Sequence, residues 1–166
     1  LSAATSHSEP PLVVYGKVFK SGAGGRYQLF SGTLRVKLVN SLDPHHVIPL
    51  DIPLQPVGPG GLFSYRISIA QETIPPADRR STTLAVSRYS LTYTIQEVTV
   101  DGYAAELLDP NESAHVVTGF SRRGEERRLD FKAAVPLPDT DLDGIPDWWE
   151  SLYGFNPLSH QDAAQD

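Results

Sequence analysis

Apolar and polar residues alternate along much of this chain with the period of two that is typical of a β-strand. In residues 33–39, Leu34, Val36 and Leu38 fall on one face of an extended chain, and polar residues occupy the positions before and between them. This pattern predicts a half-buried antiparallel strand. Runs with strand-like composition, separated by turn-forming residues, are at 12–20, 62–70, 91–100, 115–120 and 127–135.

The run 91–100 changes phase in its middle. Its apolar residues are at odd positions from Leu91 to Ile95 and at even positions from Val98 to Val100. One extra residue near 96–97 would keep all of them on one face, so the sequence predicts a β-bulge there. The Asp-Gly pair at 101–102 predicts a turn directly after this strand.

The run 45–54 is apolar but contains Pro49 and Pro53, which have no amide hydrogen. Such a segment cannot be a central strand, because it cannot donate to neighbours on both sides. We therefore expect it at the edge of a sheet or in an extended connection.

About seven short strands with regular turn signals, and no long helical period, predict an all-β fold. We expect an immunoglobulin-like antiparallel β-sandwich, with a closed barrel as the alternative. The predicted organisation is a flexible leader at 1–11, the sandwich at 12–135 and a separate carboxyl-terminal segment at 136–166. Because the chain begins at Leu1, we expect a processed product or a fragment.

Charge is distributed unevenly over the 166 residues, whose net charge is −6. Residues 139–166 hold seven of the twenty acidic residues and none of the fourteen lysines and arginines. The remaining body is close to neutral, which argues against a nucleic-acid partner. The chain has no cysteine, so disulfides, thiolate zinc sites and cysteine nucleophiles are excluded. No apolar run approaches the length of about 20 residues that a membrane span needs.

The acidic residues of the tail are concentrated in the stretch DTDLDGIPDWWE, residues 139–150. With Asp139 as position 1, aspartates are at positions 1, 3, 5 and 9, a glycine at 6 and a glutamate at 12, which is the ligand spacing of an EF-hand loop. The predicted ligands are Asp139, Asp141, Asp143, the carbonyl of Ile145, Asp147 and Glu150. An all-oxygen set favours Ca²⁺, and Mg²⁺ fits less well because it demands a tighter octahedron. The alternative is a solvated acidic linker.

A short helix is predicted to follow the loop, over PDWWESLYG. Pro146 suits its first turn and Gly154 its end. Because a strand and not a helix precedes the loop, the segment is not a helix–loop–helix hand. We expect one of its two tryptophans to pack against the body or the next loop, and a sugar-stacking platform is the alternative.

The segment resembles the thrombospondin type 3 repeat of secreted bacterial proteins, with dockerin-type loops as relatives. The resemblance covers about 28 residues and is carried by the acidic loop, by Phe155-Asn156-Pro157, and by Asp162 and Asp166. It implies that Asn156, Asp162 and Asp166 contribute to a neighbouring ion. The body, through LVVYGKV, SGTLRVKL and GLFSYRISI, is similar to the β-sandwich modules found beside such repeats in bacterial surface proteins.

No catalytic constellation is predicted. Asp43, His45 and His46 could form a metal or acid–base site, but adjacent histidines on a strand point to opposite faces, so both cannot easily bind one ion. No nucleophile elbow, phosphate loop or dinucleotide fingerprint is present.

These observations together predict a non-enzymatic, secreted or cell-surface structural or adhesive module that binds Ca²⁺. Its expected partners are proteins or further copies of itself in a surface or filamentous assembly, with no nucleic acid and no membrane insertion. A carbohydrate-binding module or an accessory domain of a larger secreted enzyme is the alternative. Extracellular calcium modules bind with dissociation constants of about 10⁻⁴ to 10⁻³ M, which is the reason for the expected location.

Overall fold

The computed structural model describes residues 7–8, 10–22, 25–74, 83–85, 91–109, 111, 115–118, 124–135, 139–143, 145 and 147–159. The chain divides into two compact units, Leu1–Ala134 and Val135–Asp166. Strands make up most of the regular structure of the first unit, and the second contains one short helix.

Thirteen short strands are present in the described part of the first unit. They are β1 His7–Ser8, β2 Leu12–Gly16, β3 Val18–Gly22, β4 Gly25–Gln28, β5 Thr33–Asn40, β6 Val47–Pro53, β7 Tyr65–Ile69, β8 Thr73–Ile74, β9 Leu91–Val100, β10 Tyr103–Leu107, β11 His115–Thr118, β12 Glu126–Arg128 and β13 Phe131–Ala133. A single turn of 3₁₀ helix spans Pro59–Gly61.

The strands form one large sheet and two small ones. The large sheet has the order β4-β3-β13-β10-β9-β5-β6, with β11 also paired to β9. A three-stranded sheet has the order β12-β2-β7, and β1 pairs with β8, so residues within the predicted leader form a strand. Among the described strands the large sheet is open, with β4 and β6 at its ends, which is not the order of a closed barrel.

The core lies between the large sheet and the three-stranded sheet. Val14 and Tyr65 from the small sheet and Val36, Ile95 and Phe131 from the large sheet line one small apolar cavity of about 10 Å³. Two layers of strands that share a buried apolar interior are what a sandwich requires. The all-β class is thereby confirmed, and the large, mainly antiparallel sheet is compatible with the predicted β-sandwich. The immunoglobulin-like strand order stays a prediction.

The hydrophobic pattern of the two central strands is confirmed. Leu34, Val36 and Leu38 on β5 are buried, and Arg35 between them is exposed. On β9 the pairing with β5 shifts by one residue, because Arg35 faces Thr99 whereas Lys37 faces Gln96. Glu97, which has φ +49°, lies inside this extra step. The predicted β-bulge is therefore present where the apolar phase changes.

The predictions for the Asp-Gly turn and for the proline-containing strand are also confirmed. Asp101 and Gly102 have φ values of +49° and +87°, and they join β9 to β10 as a two-residue hairpin loop. β6, which carries Pro49 and Pro53, is paired with β5 alone among the described strands and forms one edge of the large sheet.

The single strand expected at 12–20 is instead divided at Lys17. β2 belongs to the small sheet and β3 to the large one, and each pairs in parallel with a strand from the end of the unit, β2 with β12 and β3 with β13. The reason is a side chain remote in sequence: the Lys17 N–H donates to Asp130 Oδ1 at 2.8 Å, which removes it from the strand ladder. The two parallel pairs are exceptions to the expected antiparallel sheet.

Candidate metal centre

The acidic loop brings three carboxylates together. Asp139, Asp141 and Asp143 each offer one oxygen, and these three atoms all lie within 4.8 Å of one another. All three residues are half-buried. Oxygen atoms at this spacing could hold a metal ion, and among the described residues this is the group of ligating side chains that could do so.

Backbone amides of the loop hold these carboxylates in place. The Asp143 N–H lies 3.2 Å from Asp139 Oδ1 and 3.3 Å from Asp141 Oδ1, and the Ile145 N–H donates to Asp143 Oδ1 at 2.7 Å. Aspartate side chains that accept from amides two residues further on form tight local turns. The spacing of alternate aspartates therefore makes the chain turn around a common centre.

The loop also contains a residue with unfavourable backbone geometry. Leu142 has φ +62°, in the left-handed region, and 84% of it is exposed to solvent. An L-residue with a Cβ pays about 1–2 kcal/mol for this conformation. The winding that points Asp141 and Asp143 inward thus places an apolar side chain in water at a strained position.

Electrostatic repulsion opposes this arrangement when no cation is bound. Two unit charges 4.8 Å apart repel by roughly 1 kcal/mol in water and by about 3.5 kcal/mol at an effective dielectric constant of 20. Asp143 Oδ2 is buried and has no hydrogen-bond donor in the described part of the chain. A divalent cation would add an attraction to each carboxylate that outweighs the repulsion between them, and it could coordinate this oxygen, so the residues present fit such an ion.

Asp147, predicted as the ligand at position 9, makes other contacts. Its carboxylate accepts the Thr140 N–H at Oδ1 and the Thr140 hydroxyl at Oδ2, both at 2.7 Å. The hydrogen bond from the Thr140 side chain, followed by that from its backbone, holds the pKa of Asp147 below its ordinary value of 3.8. Asp147 thereby links position 2 of the loop to the first residue of the helix. The sequence pattern did not predict this role of Thr140, although a hydroxyl residue within an acidic loop is a signal for it.

Glu150 lies on the helix α1, Asp147–Tyr153. Glu150 has no solvent exposure. Burying a carboxylate is expensive unless a cation or hydrogen-bond donors compensate it. Gly154, with φ +82°, follows the helix, and the Phe155 N–H donates to the Glu150 carbonyl at 2.8 Å. This bond closes the helix end as a Schellman motif.

The remaining predicted ligands are not part of the aspartate group. Ile145 is half-buried, and its carbonyl as a ligand stays a prediction. Asn156 is exposed, and its Oδ1 accepts the Leu158 N–H at 3.3 Å. Asp162 and Asp166, together with Gly144 of the loop, lie outside the described residues.

The histidine pair on the first unit has a structural arrangement. His45 is exposed, and its backbone N–H donates to Asp43 Oδ1 at 3.2 Å. His46 is buried, with Nδ1 3.2 Å from the Tyr93 hydroxyl. That hydroxyl accepts the Ala85 N–H at 2.8 Å, so its own hydrogen is available to His46. His45 lies in a turn and His46 directly precedes β6, so the pair is not on a strand as expected, although the two side chains lie in different environments.

Comparison of the chain with protein-family models, with curated proteins and with solved structures finds no significant match. Within the described residues, no helix has the length and apolar character needed to cross a membrane.

Proposed function

We propose that this chain is a non-enzymatic extracellular module in which a β-sandwich is joined to a calcium-stabilised loop and helix. The observation that carries the proposal is the group of Asp139, Asp141 and Asp143, whose oxygens lie within 4.8 Å of one another. The EF-hand-type spacing of the loop and its resemblance to the thrombospondin type 3 repeat support Ca²⁺ as the ion.

The residues of the second unit would act together in holding the ion. Three carboxylates supply hard oxygens, those of Asp139, Asp141 and Asp143. They accept hydrogen bonds from amides of the loop, and these bonds hold the oxygens close together. Asp147 ties the loop to α1 through Thr140. Glu150, buried on the same helix, is the residue that we expect to complete the coordination from position 12. When bound, Ca²⁺ would supply the positive charge that makes this many carboxylates stable in one short segment.

The consequence for function is mechanical. Without the ion, repulsion among the carboxylates favours an open loop, whereas with the ion the loop and α1 become one ordered body. Ligand-linked order of this kind suits a structural or adhesive module outside the cell, where calcium is abundant. We therefore also propose that the chain is secreted or held at a cell surface, and that it associates with further copies of itself in an assembly.

A calcium titration of the whole chain tests the site. We expect saturable binding by calorimetry, with weaker binding of Mg²⁺, and calcium-dependent protection of residues 139–159 from limited proteolysis. The double variant Asp141→Ala with Glu150→Ala should lose both effects, while the far-ultraviolet circular dichroism of the strands is retained.

The matched control removes the same charge from the first unit. Asp51 and Glu97 are exposed acids on β6 and β9, so Asp51→Ala with Glu97→Ala changes the net charge equally. This control should bind calcium as the native chain does. Equal calcium binding by the native chain and the loop variant would refute the proposed site.

A further inference from the structure

The edge strand β6 presents a backbone whose hydrogen-bonding direction can be assigned from its register. At one end of the β5–β6 ladder the Asn40 N–H donates to the His46 carbonyl at 3.1 Å, and at the other the Leu54 N–H donates to the Gly32 carbonyl at 2.9 Å. Between these ends the antiparallel register is unbroken from Val39↔Val47 to Thr33↔Pro53.

Hydrogen-bonded and non-bonded pairs alternate along an antiparallel ladder. Because both end bonds use even-numbered residues of the β6 segment, the even residues of β6 face β5. The odd residues direct their backbone groups away from β5, to the edge of the large sheet with which no described strand pairs. These four positions are Val47, Pro49, Asp51 and Pro53.

Two of the four outward positions are therefore proline, which has no amide hydrogen. An added antiparallel strand needs an N–H and a C=O from the same residue at each bonded pair. Only Val47 and Asp51 could supply both, and each has a proline as its next outward neighbour. An incoming strand would leave its carbonyls unsatisfied opposite Pro49 and Pro53.

The strand is otherwise well suited to association. It is seven residues long, Ile48 and Ile52 on its inner face are buried, and among the described strands it pairs with β5 alone. An unprotected edge of this length is a template for pairing with a second copy of the chain. We propose that Pro49 and Pro53 close the β6 edge against strand addition by other copies, so that any assembly of the module uses another surface.

Replacing both prolines tests this. The variant Pro49→Val with Pro53→Val restores two amide donors with residues that favour strands. Its weight-average mass by light scattering should rise with protein concentration at least to that of a dimer of the native species, together with an increase in intermolecular β-sheet absorption in the infrared. The control Pro56→Ala with Pro59→Ala changes two exposed prolines of the β6–β7 connection and should keep the native mass.

A variant that remains folded and keeps the native mass at high concentration would overturn the proposal. Should the double variant fail to fold, the single variant Pro49→Val gives the same comparison. Hydrogen exchange of the native chain is an independent arm. The amides of Val47 and Asp51 should exchange rapidly at all concentrations, and their protection on concentrating the protein would show that the edge is paired and would overturn the proposal. All arms are run with and without calcium, which separates them from the test of the metal site.

Discussion

Substitution of Gly16 by alanine should lower the free energy of unfolding of the first unit. The loss should exceed that at a glycine where an added Cβ has no atom within 4 Å. Gly16 is buried at the end of β2, and a Cβ built on it would lie 1.9 Å from the Leu129 carbonyl oxygen and 2.9 Å from Asp130 Oδ1. The first distance is far inside van der Waals contact and involves backbone, which cannot rotate away. The segment 129–130 would have to separate from β2.

Three hydrogen bonds depend on that close approach. The Leu129 N–H donates to the Tyr15 carbonyl at 2.9 Å, the Lys17 N–H to Asp130 at 2.8 Å, and the buried Tyr65 hydroxyl to the Leu129 carbonyl at 2.7 Å. Each contributes about 1 kcal/mol, and overpacking strain adds about 1–3 kcal/mol. We therefore expect a loss of about 4–6 kcal/mol in the free energy of unfolding. This is a large share of the 5–15 kcal/mol that is typical of a domain.

Urea denaturation followed by far-ultraviolet circular dichroism measures the effect, because the strands dominate that signal. With a slope of about 2 kcal/mol per M of urea, the denaturation midpoint should fall by roughly 2 to 3 M. The control is Gly60→Ala, at a glycine with φ +63° and no atom within 4 Å of the added Cβ. It should cost only about 1–2 kcal/mol from backbone strain. If Gly16→Ala is no more destabilising than this control, the approach of β2 to Leu129 is not as close as described.

Three further predictions concern the loop and the buried hydroxyl. Leu142→Asn should stabilise the calcium-bound second unit by up to about 1 kcal/mol, because asparagine tolerates the left-handed conformation better; thermal unfolding followed by tryptophan fluorescence would show an unchanged or lower midpoint if this is wrong. Thr140→Ala should raise the pKa of Asp147 towards 3.8, as followed by carboxyl NMR in calcium-free buffer. Because folding lowers the pKa of Asp147, its hydrogen bonds from Thr140 stabilise the native chain at pH values above 3.8. This stabilisation is lost as the pH falls through the lower pKa of Asp147 in the folded state. Tyr93→Phe removes the acceptor of the buried Ala85 N–H and should cost about 1–3 kcal/mol in urea denaturation; no change in midpoint would count against that hydrogen bond.

Much of the sandwich could be predicted from local patterns, since these patterns are themselves physical requirements. The alternation on β5 separates a buried face from an exposed one, and the change of phase on β9 requires one extra residue, which the structure has at Glu97. Positive φ at Asp101 and Gly102 follows from the geometry of a two-residue hairpin. Each of these features depends on residues that are neighbours in the chain.

The candidate metal site could be predicted in part for the same reason. The spacing of Asp139, Asp141 and Asp143 is local, and the structure brings their oxygens together. The contact of Asp147 with Thr140 was not predicted, because a carboxylate at position 9 can accept from loop donors as well as bind an ion. Spacing alone does not decide between these two partners.

The sequence by itself determined the alternation of buried and exposed residues on β5, where the bulge and the hairpin turn lie, and the local spacing that brings Asp139, Asp141 and Asp143 together. Only the tertiary structure decided that the first strand divides at Lys17, that β2 and β3 pair in parallel with β12 and β13, and that Gly16 lies against Leu129. The physical reason is distance along the chain. Periodicity records which face of an element is buried, but the partner that buries it, here more than a hundred residues away for Lys17 and Asp130, is fixed only when the whole core packs.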